Sequence, residues 1–189
     1  MGTPDVDILI AERADAHDLL AGVRDSLQDA AQAVAQCLRA GATVYACGNG
    51  GSATQAAHFA GELVGRFKNE RRALPAFCLS DNPAIITAVA NDYDYESVFS
   101  RQLDGLVRPG DCLLALTTSG NSENVVRACA TARARGARVV ALTGRGGGKA
   151  GENADVRVAV DSTETDRIQE THLMIIHLLC EFAEAGAYD

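Results

Sequence analysis

His58 and Glu62 stand four residues apart in a stretch that reads as helix, so both fall on one face, one turn apart. A histidine and a carboxylate so placed can bind a metal, transfer protons or form a surface pair. Further along, Gln169, Glu170, His172 and His177 interrupt an otherwise apolar run over residues 168–179. At about 100° per residue, Gln169 and His177 lie about 80° apart and can share a site two turns long, whereas His172 and His177 lie about 140° apart. Spacing alone does not decide which histidine is functional, since any buried histidine needs a hydrogen-bond partner. Asn91 and Asp92 follow another helical stretch. They can meet sugar hydroxyls or serve as cap and turn residues.

Two glycine- and hydroxyl-rich loops supply a second kind of chemistry. Gly48-Asn49-Gly50-Gly51-Ser52-Ala53 follows a short apolar run and precedes a helix. Strand, glycine loop and helix together hold an anion, because glycine lets the backbone approach and the helix N-terminus presents free N–H groups. Thr117-Thr118-Ser119-Gly120-Asn121-Ser122 repeats the arrangement. Two such loops point to a phosphorylated small molecule. The first loop lacks the Gly-Lys-Ser/Thr ending of a P-loop. Gly48, Gly50 and Ala53 match the dinucleotide spacing, but no acid stands about 20 residues on at the end of the next strand, as that fingerprint requires.

The elements that must carry these groups alternate. Apolar, strand-like runs cover residues 43–47, 76–79, 112–117, 138–143 and 156–160, with helical stretches at 54–66, 83–91, 95–107 and 123–135. Strands buried on both faces read as continuous apolar runs. The β-α-β alternation predicts an α/β fold with a doubly wound, five-stranded parallel sheet of flavodoxin-like type, closed by one long helix over 165–184. Ligands of such sheets bind beyond the carboxyl ends of the strands, which sets both loops on one rim. Before the sheet, Val6, Leu9 and Ile10 suggest a first helix. Leu20, Val23, Leu27, Ala30, Val34 and Leu38 then recur every three or four residues. That stripe offers a face to bury between subunits or against its own domain. One domain over residues 1–189 is expected, with 1–40 as helices contributing to oligomer contacts.

Composition narrows the function classes. The chain has 189 residues, 47% of them hydrophobic, and a net charge of −8. That acidity argues against nucleic-acid binding, which depends on Lys and Arg neutralising phosphates. The one basic cluster, residues 66–72, contains Glu70 and reads as a solvated connection. Six cysteines form no C-x-x-C pair and sit mostly in apolar runs, as small hydrophobes do. No signal peptide and no apolar run of about 20 residues is present, so a cytoplasmic, membrane-free protein is expected.

Taken together, the two loops, His58-Phe59-Ala60-Gly61-Glu62-Leu63, Arg66-Phe67, Leu74-Pro75-Ala76, Ala90-Asn91-Asp92-Tyr93, Arg167-Ile168-Gln169-Glu170 and His177 closely resemble the phosphoheptose isomerase family of the sugar isomerase (SIS) superfamily. The resemblance runs through essentially the whole chain. It implies conversion of sedoheptulose 7-phosphate to D-glycero-D-manno-heptose 7-phosphate, for heptose nucleotide and glycan synthesis, in a cytoplasmic homotetramer with sites near subunit boundaries. By the same resemblance Asn49, Gly50, Gly51, Ser52, Asn91 and Asp92 bind substrate. Thr117, Thr118, Ser119 and Ser122 bind its phosphate. His58, Glu62, Gln169 and His177 form a zinc site, with Glu62 and His177 also the proton-transfer pair and Gln169 near the substrate. His172 has a family counterpart that is not a usual ligand, and Thr117 stands where the family often has Ser. Two alternatives remain open: a non-enzymatic SIS relative that binds the replication initiator, and an isomerase of a different sugar phosphate.

Overall fold

Five apolar runs become strands: β1 (Val44–Gly48), β2 (Ala76–Cys78), β3 (Cys112–Thr117), β4 (Arg138–Thr143) and β5 (Val156–Ala159). The computed structural model describes residue 3 and residues 5–186; the outermost residues of the expected domain, 1, 2, 4 and 187–189, lie outside the described residues. Every strand pair is parallel, in the order β2-β1-β3-β4-β5. All residues of β1 and β3 are buried, which is why their sequences run apolar without alternation. The winding direction reverses between β1 and β3. The crevice outside their carboxyl ends is the switch point where such sheets bind ligands.

The helices are α1 (Val6–Ala11), α2 (Ala16–Ala21), α3 (Arg24–Arg39), α4 (Gly51–Val64), α5 (Pro83–Asp92), α6 (Ser100–Leu106), α7 (Glu123–Ala134), α8 (Gly148–Glu152) and α9 (Thr165–Ala185). Alternate strand residues feed two cores. Val44, Ala46, Leu114, Leu116 and Leu142 pack with α3, α4 and α9. Tyr45, Cys47, Leu113, Ala115 and Val139 pack with α6 and α7 on the opposite face. Among the described residues no helix is long and apolar enough to cross a membrane.

Two expectations change. The stripe on α2 and α3 is not free for a neighbouring subunit: Val23, Ala30, Val34 and Leu38 are buried in the chain's own core, with Leu20 and Leu27 packed against it. The reason is that α3 lies on α9 and on the sheet, so its apolar face is already covered. It is α1 that leaves Val6, Ile8, Leu9 and Ile10 exposed. The helix expected over 95–107 divides into a short 3-10 turn (Tyr95–Ser97) and α6, because Val98 and Phe99 enter the core while Arg127 of α7 holds the carboxylates of Asp94 and Glu96. Helix α8, five residues in a glycine-rich stretch, has too little apolar periodicity to be read from sequence. The six cysteines are free. Burial pushes their thiols up, Cys78 to about 11 and Cys37, Cys129 and Cys180 to about 12, as suits inert core residues.

Candidate active site

The first loop turns from β1 into α4 through Gly50, whose φ of +55° places it at the N-cap. Asn49 is held from two directions. Its Nδ2 donates to Asn124 Oδ1 at 2.8 Å, and its Oδ1 accepts from Asn124 Nδ2 at 2.9 Å and from Tyr95 Oη at 3.0 Å. This reciprocal amide pair bridges the loop after β1 to the helix after β3. Gly51 faces the amide of Gln169 so closely that an added Cβ would lie 2.7 Å from Nε2. Ser52 is buried.

The second loop is organised by its own hydroxyls. Thr117 Oγ1 accepts from the Gly120 N–H at 3.2 Å and lies 3.4 Å from Ser122 Oγ. Ser119 Oγ accepts from the Asn121 N–H at 3.1 Å, and Ser119 is exposed. Gly120 has φ +69°, and a Cβ there would come within 2.2 Å of the Gly147 carbonyl oxygen. No other residue fits that position. A third, glycine-rich segment after β4 therefore braces the second loop. Gly144 N–H donates to the Thr118 carbonyl at 3.0 Å, Ala150 N–H to the Gly120 carbonyl at 2.9 Å, and Lys149 N–H to Asn121 Oδ1 at 3.2 Å.

A separate cluster forms where α4 packs on α9. His58 Nε2 lies 3.0 Å from Glu62 Oε1, so the predicted i,i+4 pair is made. The His177 ring meets His58 edge-on at 5.1 Å between centroids and stacks on Phe67 at 5.5 Å with a 21° interplanar angle. His58 thus touches both members of the expected proton-transfer pair. Gln169 does not join this cluster within one chain. It sits eight residues before His177, about 12 Å along the helix, beside Gly51, and Gln55 Nε2 donates to its carbonyl at 2.6 Å. Among the described residues no three His, Cys, Asp or Glu side chains are gathered closely enough to hold a metal ion as they stand.

His172 is the core histidine of the two. It is fully buried, with Nε2 at 3.2 Å from the Thr143 carbonyl, and burial lowers its pKa to about 4. It is therefore neutral at physiological pH, with Nε2–H as the donor. Asn91 and Asp92 end α5, exposed and bonded to each other at 2.8 Å. They stand next in sequence to the turn that carries Tyr95. The connection at 66–72 is not uniformly solvated as expected, because the Arg71 side chain is only 1% exposed.

Asn124, Tyr95 and the glycine segment 144–148 were not singled out by sequence reasoning, and Phe67 entered only as part of a family motif. Asn124 lies one residue into a helix and Tyr95 in what reads as another, so no local pattern marks either. Only the consecutive glycines at 146–148 carried a readable sign.

The fold and the sequence are both shared with known proteins. The SIS domain model matches residues 13–144. The phosphoheptose isomerase of Akkermansia muciniphila is 49% identical over 175 residues, covering 93% of each chain. The solved phosphoheptose isomerase of Neisseria gonorrhoeae superposes with a TM-score of 0.89 at 38% identity, covering 95% of this chain and 97% of that one.

The chain belongs to the phosphoheptose isomerase family.

It is accordingly an enzyme of the isomerase class, with the family's SIS fold. The corresponding structure from Francisella tularensis also superposes at a TM-score of 0.89, with 34% identity over 97% of this chain and all of that one. Membership in this enzyme family, with Glu62 and His177 both present beside His58, leaves the non-enzymatic alternative without support.

Proposed function

We propose that the protein interconverts sedoheptulose 7-phosphate and D-glycero-D-manno-heptose 7-phosphate, feeding heptose nucleotide and glycan synthesis. The observation that carries this reading is the gathering of Glu62 and His177 around His58 in a chain of this family. Aldose–ketose exchange moves a proton between C1 and C2 through an enediol and needs a base near one carbon and a donor near the sugar oxygens. Glu62 takes the carbon-bound proton, and His177 serves the oxygens. The loops of Asn49–Gly51 and Thr117–Ser122 hold the phosphate and the sugar chain, with Asn91, Asp92 and Gln169 meeting hydroxyls.

These parts work across subunits. Gly51 and Glu62 are eleven residues apart on α4, about 16 Å along the helix, more than the length of one seven-carbon sugar phosphate. The phosphate loops of one chain therefore serve the acid–base cluster of another, in a homotetramer whose contacts include the exposed apolar residues of α1. Zinc would be held at the same boundary by His58, Glu62 and His177, with Gln169 from a second chain. Nitrogen and oxygen donors suit that ion. Bound zinc would supply carbonyl polarisation. A reducing cytoplasm suits the six free thiols.

The deciding experiment incubates purified protein with sedoheptulose 7-phosphate and, in parallel, with shorter ketose phosphates, following aldose formation by NMR. Turnover of a shorter sugar but not the heptulose would refute the substrate assignment. Light scattering of a monomer at micromolar concentration would refute the assembly. Mixing Glu62→Gln subunits with Ser119→Ala subunits should restore activity. No recovery after verified exchange would locate each site within a single chain.

A further inference from the structure

Arg71 lies in a connection whose composition suggests solvent, yet its side chain and that of Glu184 are each 1% exposed. A guanidinium taken out of water must be paired and hydrogen-bonded to persist. Its Nε lies 3.3 Å from Glu184 Oε1, an ion pair rather than an aligned hydrogen bond. Its two Nη atoms donate instead to main-chain oxygens. Nη2 reaches the Glu62 carbonyl at 2.7 Å, and Nη1 reaches those of Leu63 at 2.9 Å, Arg72 at 3.0 Å and Gly65 at 3.2 Å. Glu62 and Leu63 belong to the last turn of α4, whose carbonyls have no partner within the helix. Arg71 caps that turn with a positive charge, the sign a helix C-terminus favours.

Glu184, near the end of α9, organises the same segment from the other side. Its carboxylate accepts from the N–H groups of Phe67 at 2.9 Å, Lys68 at 3.1 Å and Asn69 at 3.1 Å, and from Asn69 Nδ2 at 3.3 Å. Burial alone would raise its pKa. These backbone donors and the Arg71 charge outweigh burial and hold it below the usual value. The Phe67 main chain fixed in this way carries the ring on which His177 stacks.

We infer that Arg71 and Glu184 are positioning residues for the acid–base cluster. Arg71 fixes the end of α4 that bears Glu62, and Glu184 fixes the Phe67 shelf under His177. This inference rests on the proposed isomerase reading, in which Glu62 and His177 move the proton. Neither Arg71 nor Glu184 touches substrate. Arg71 shares no hydrogen bond with the phosphate loops, so losing the pair should affect turnover and spare phosphate recognition.

The test uses Arg71→Lys, which keeps the charge and loses the fork, and the double variant Arg71→Met/Glu184→Leu, which replaces the buried pair by apolar groups of similar size. For each, kcat with sedoheptulose 7-phosphate, competition by inorganic phosphate and the His177 ring proton shifts are measured. The shifts are assigned by comparison with His177→Ala. The expected result is kcat lower by about 10- to 100-fold, the scale of an ångström-level misplacement. Phosphate competition should stay within about twofold, and the His177 ring protons should lose the upfield shift that stacking on Phe67 gives. Wild-type kcat and wild-type His177 shifts in a folded variant would overturn the inference. So would loss of phosphate competition in step with kcat, or failure of both variants to fold, either of which would make the pair a general structural element. If the wild-type protein does not turn over the heptulose phosphate, the functional reading falls, and the His177 shifts still decide whether the pair positions that ring.

Discussion

Gly51→Ala should raise stability and lower activity, and the two effects come from different atoms. Gly51 is the first residue of α4, and its φ lies outside the left-handed region, so an alanine there fits the backbone. A compatible Gly→Ala change stabilises by about 0.4–1 kcal/mol through the unfolded chain. The new Cβ, however, would lie 2.7, 2.8 and 2.9 Å from Nε2, Oε1 and Cδ of Gln169, where ordinary contact begins at 3.4 Å. The overlap falls on the far end of a flexible side chain, so Gln169 must move by about 0.7 Å or more, and the fold absorbs the change. If Gln169 meets the substrate, a shift of that size costs about 10- to 100-fold in kcat/KM. Gly61→Ala is the matched control: it lies in the same helix, an added Cβ there meets nothing within 4 Å, and it should gain about 1 kcal/mol with unchanged turnover. Urea denaturation and steady-state kinetics on the two variants separate the effects. Full activity in Gly51→Ala would remove Gln169 from the site, and destabilisation by more than about 2 kcal/mol would show that the packing argument is wrong, since it exceeds the ordinary surface-site range.

Glu62→Gln and His177→Ala should each cost about 100-fold or more in kcat with the fold intact, the scale of a lost acid or base; near-wild-type turnover in a folded variant would release that residue from its role. Ser119→Ala and Ser122→Ala should weaken binding of the phosphorylated sugar by removing hydroxyl donors to an anion, and a complete lack of competition by inorganic phosphate would contradict the phosphate assignment of these loops. Protein purified without chelator should contain about one zinc per chain, in keeping with the proposed four-donor site, whereas metal-free protein with full activity in chelator would mean that His58, Glu62, Gln169 and His177 act on the sugar directly. His172, whose pKa is lowered from 6.5 to about 4 by burial, should make the fold acid-sensitive. Its contribution is complete above about pH 6.5 and is lost as pH falls toward 4, because only the unfolded chain binds the proton in that window, a span worth up to about 3 kcal/mol. His172→Gln should flatten that part of the stability–pH curve, and an unchanged curve would place the acid sensitivity elsewhere.

The sequence alone determined the alternation of strands and helices, the two glycine- and hydroxyl-rich loops between strand and helix, and the pairing of His58 with Glu62. Each depends on residues close together in the chain. A strand buried on both faces is apolar throughout, a loop that approaches a phosphate needs glycine, and two residues four apart on a helix share a face whatever surrounds them. The continuous apolar runs at Cys112–Thr117 and Arg138–Thr143 became strands with those same bounds. Which histidine of α9 sits in the core was not local information. His172 and His177 lie in the same apolar helix, and only the packing of α9 buries one against Thr143 and turns the other toward His58 and Phe67. The stripe on α3 likewise read as a surface to be covered, and only the tertiary arrangement supplied α9 and the sheet as its cover. The Asn49–Asn124 pair, separated by 75 residues, and the buried Arg71–Glu184 pair, separated by more than a hundred, exist because the sheet's winding and the return of α9 bring distant segments together. A charged residue in a polar connection carries no local sign that its partner waits at the other end of the chain.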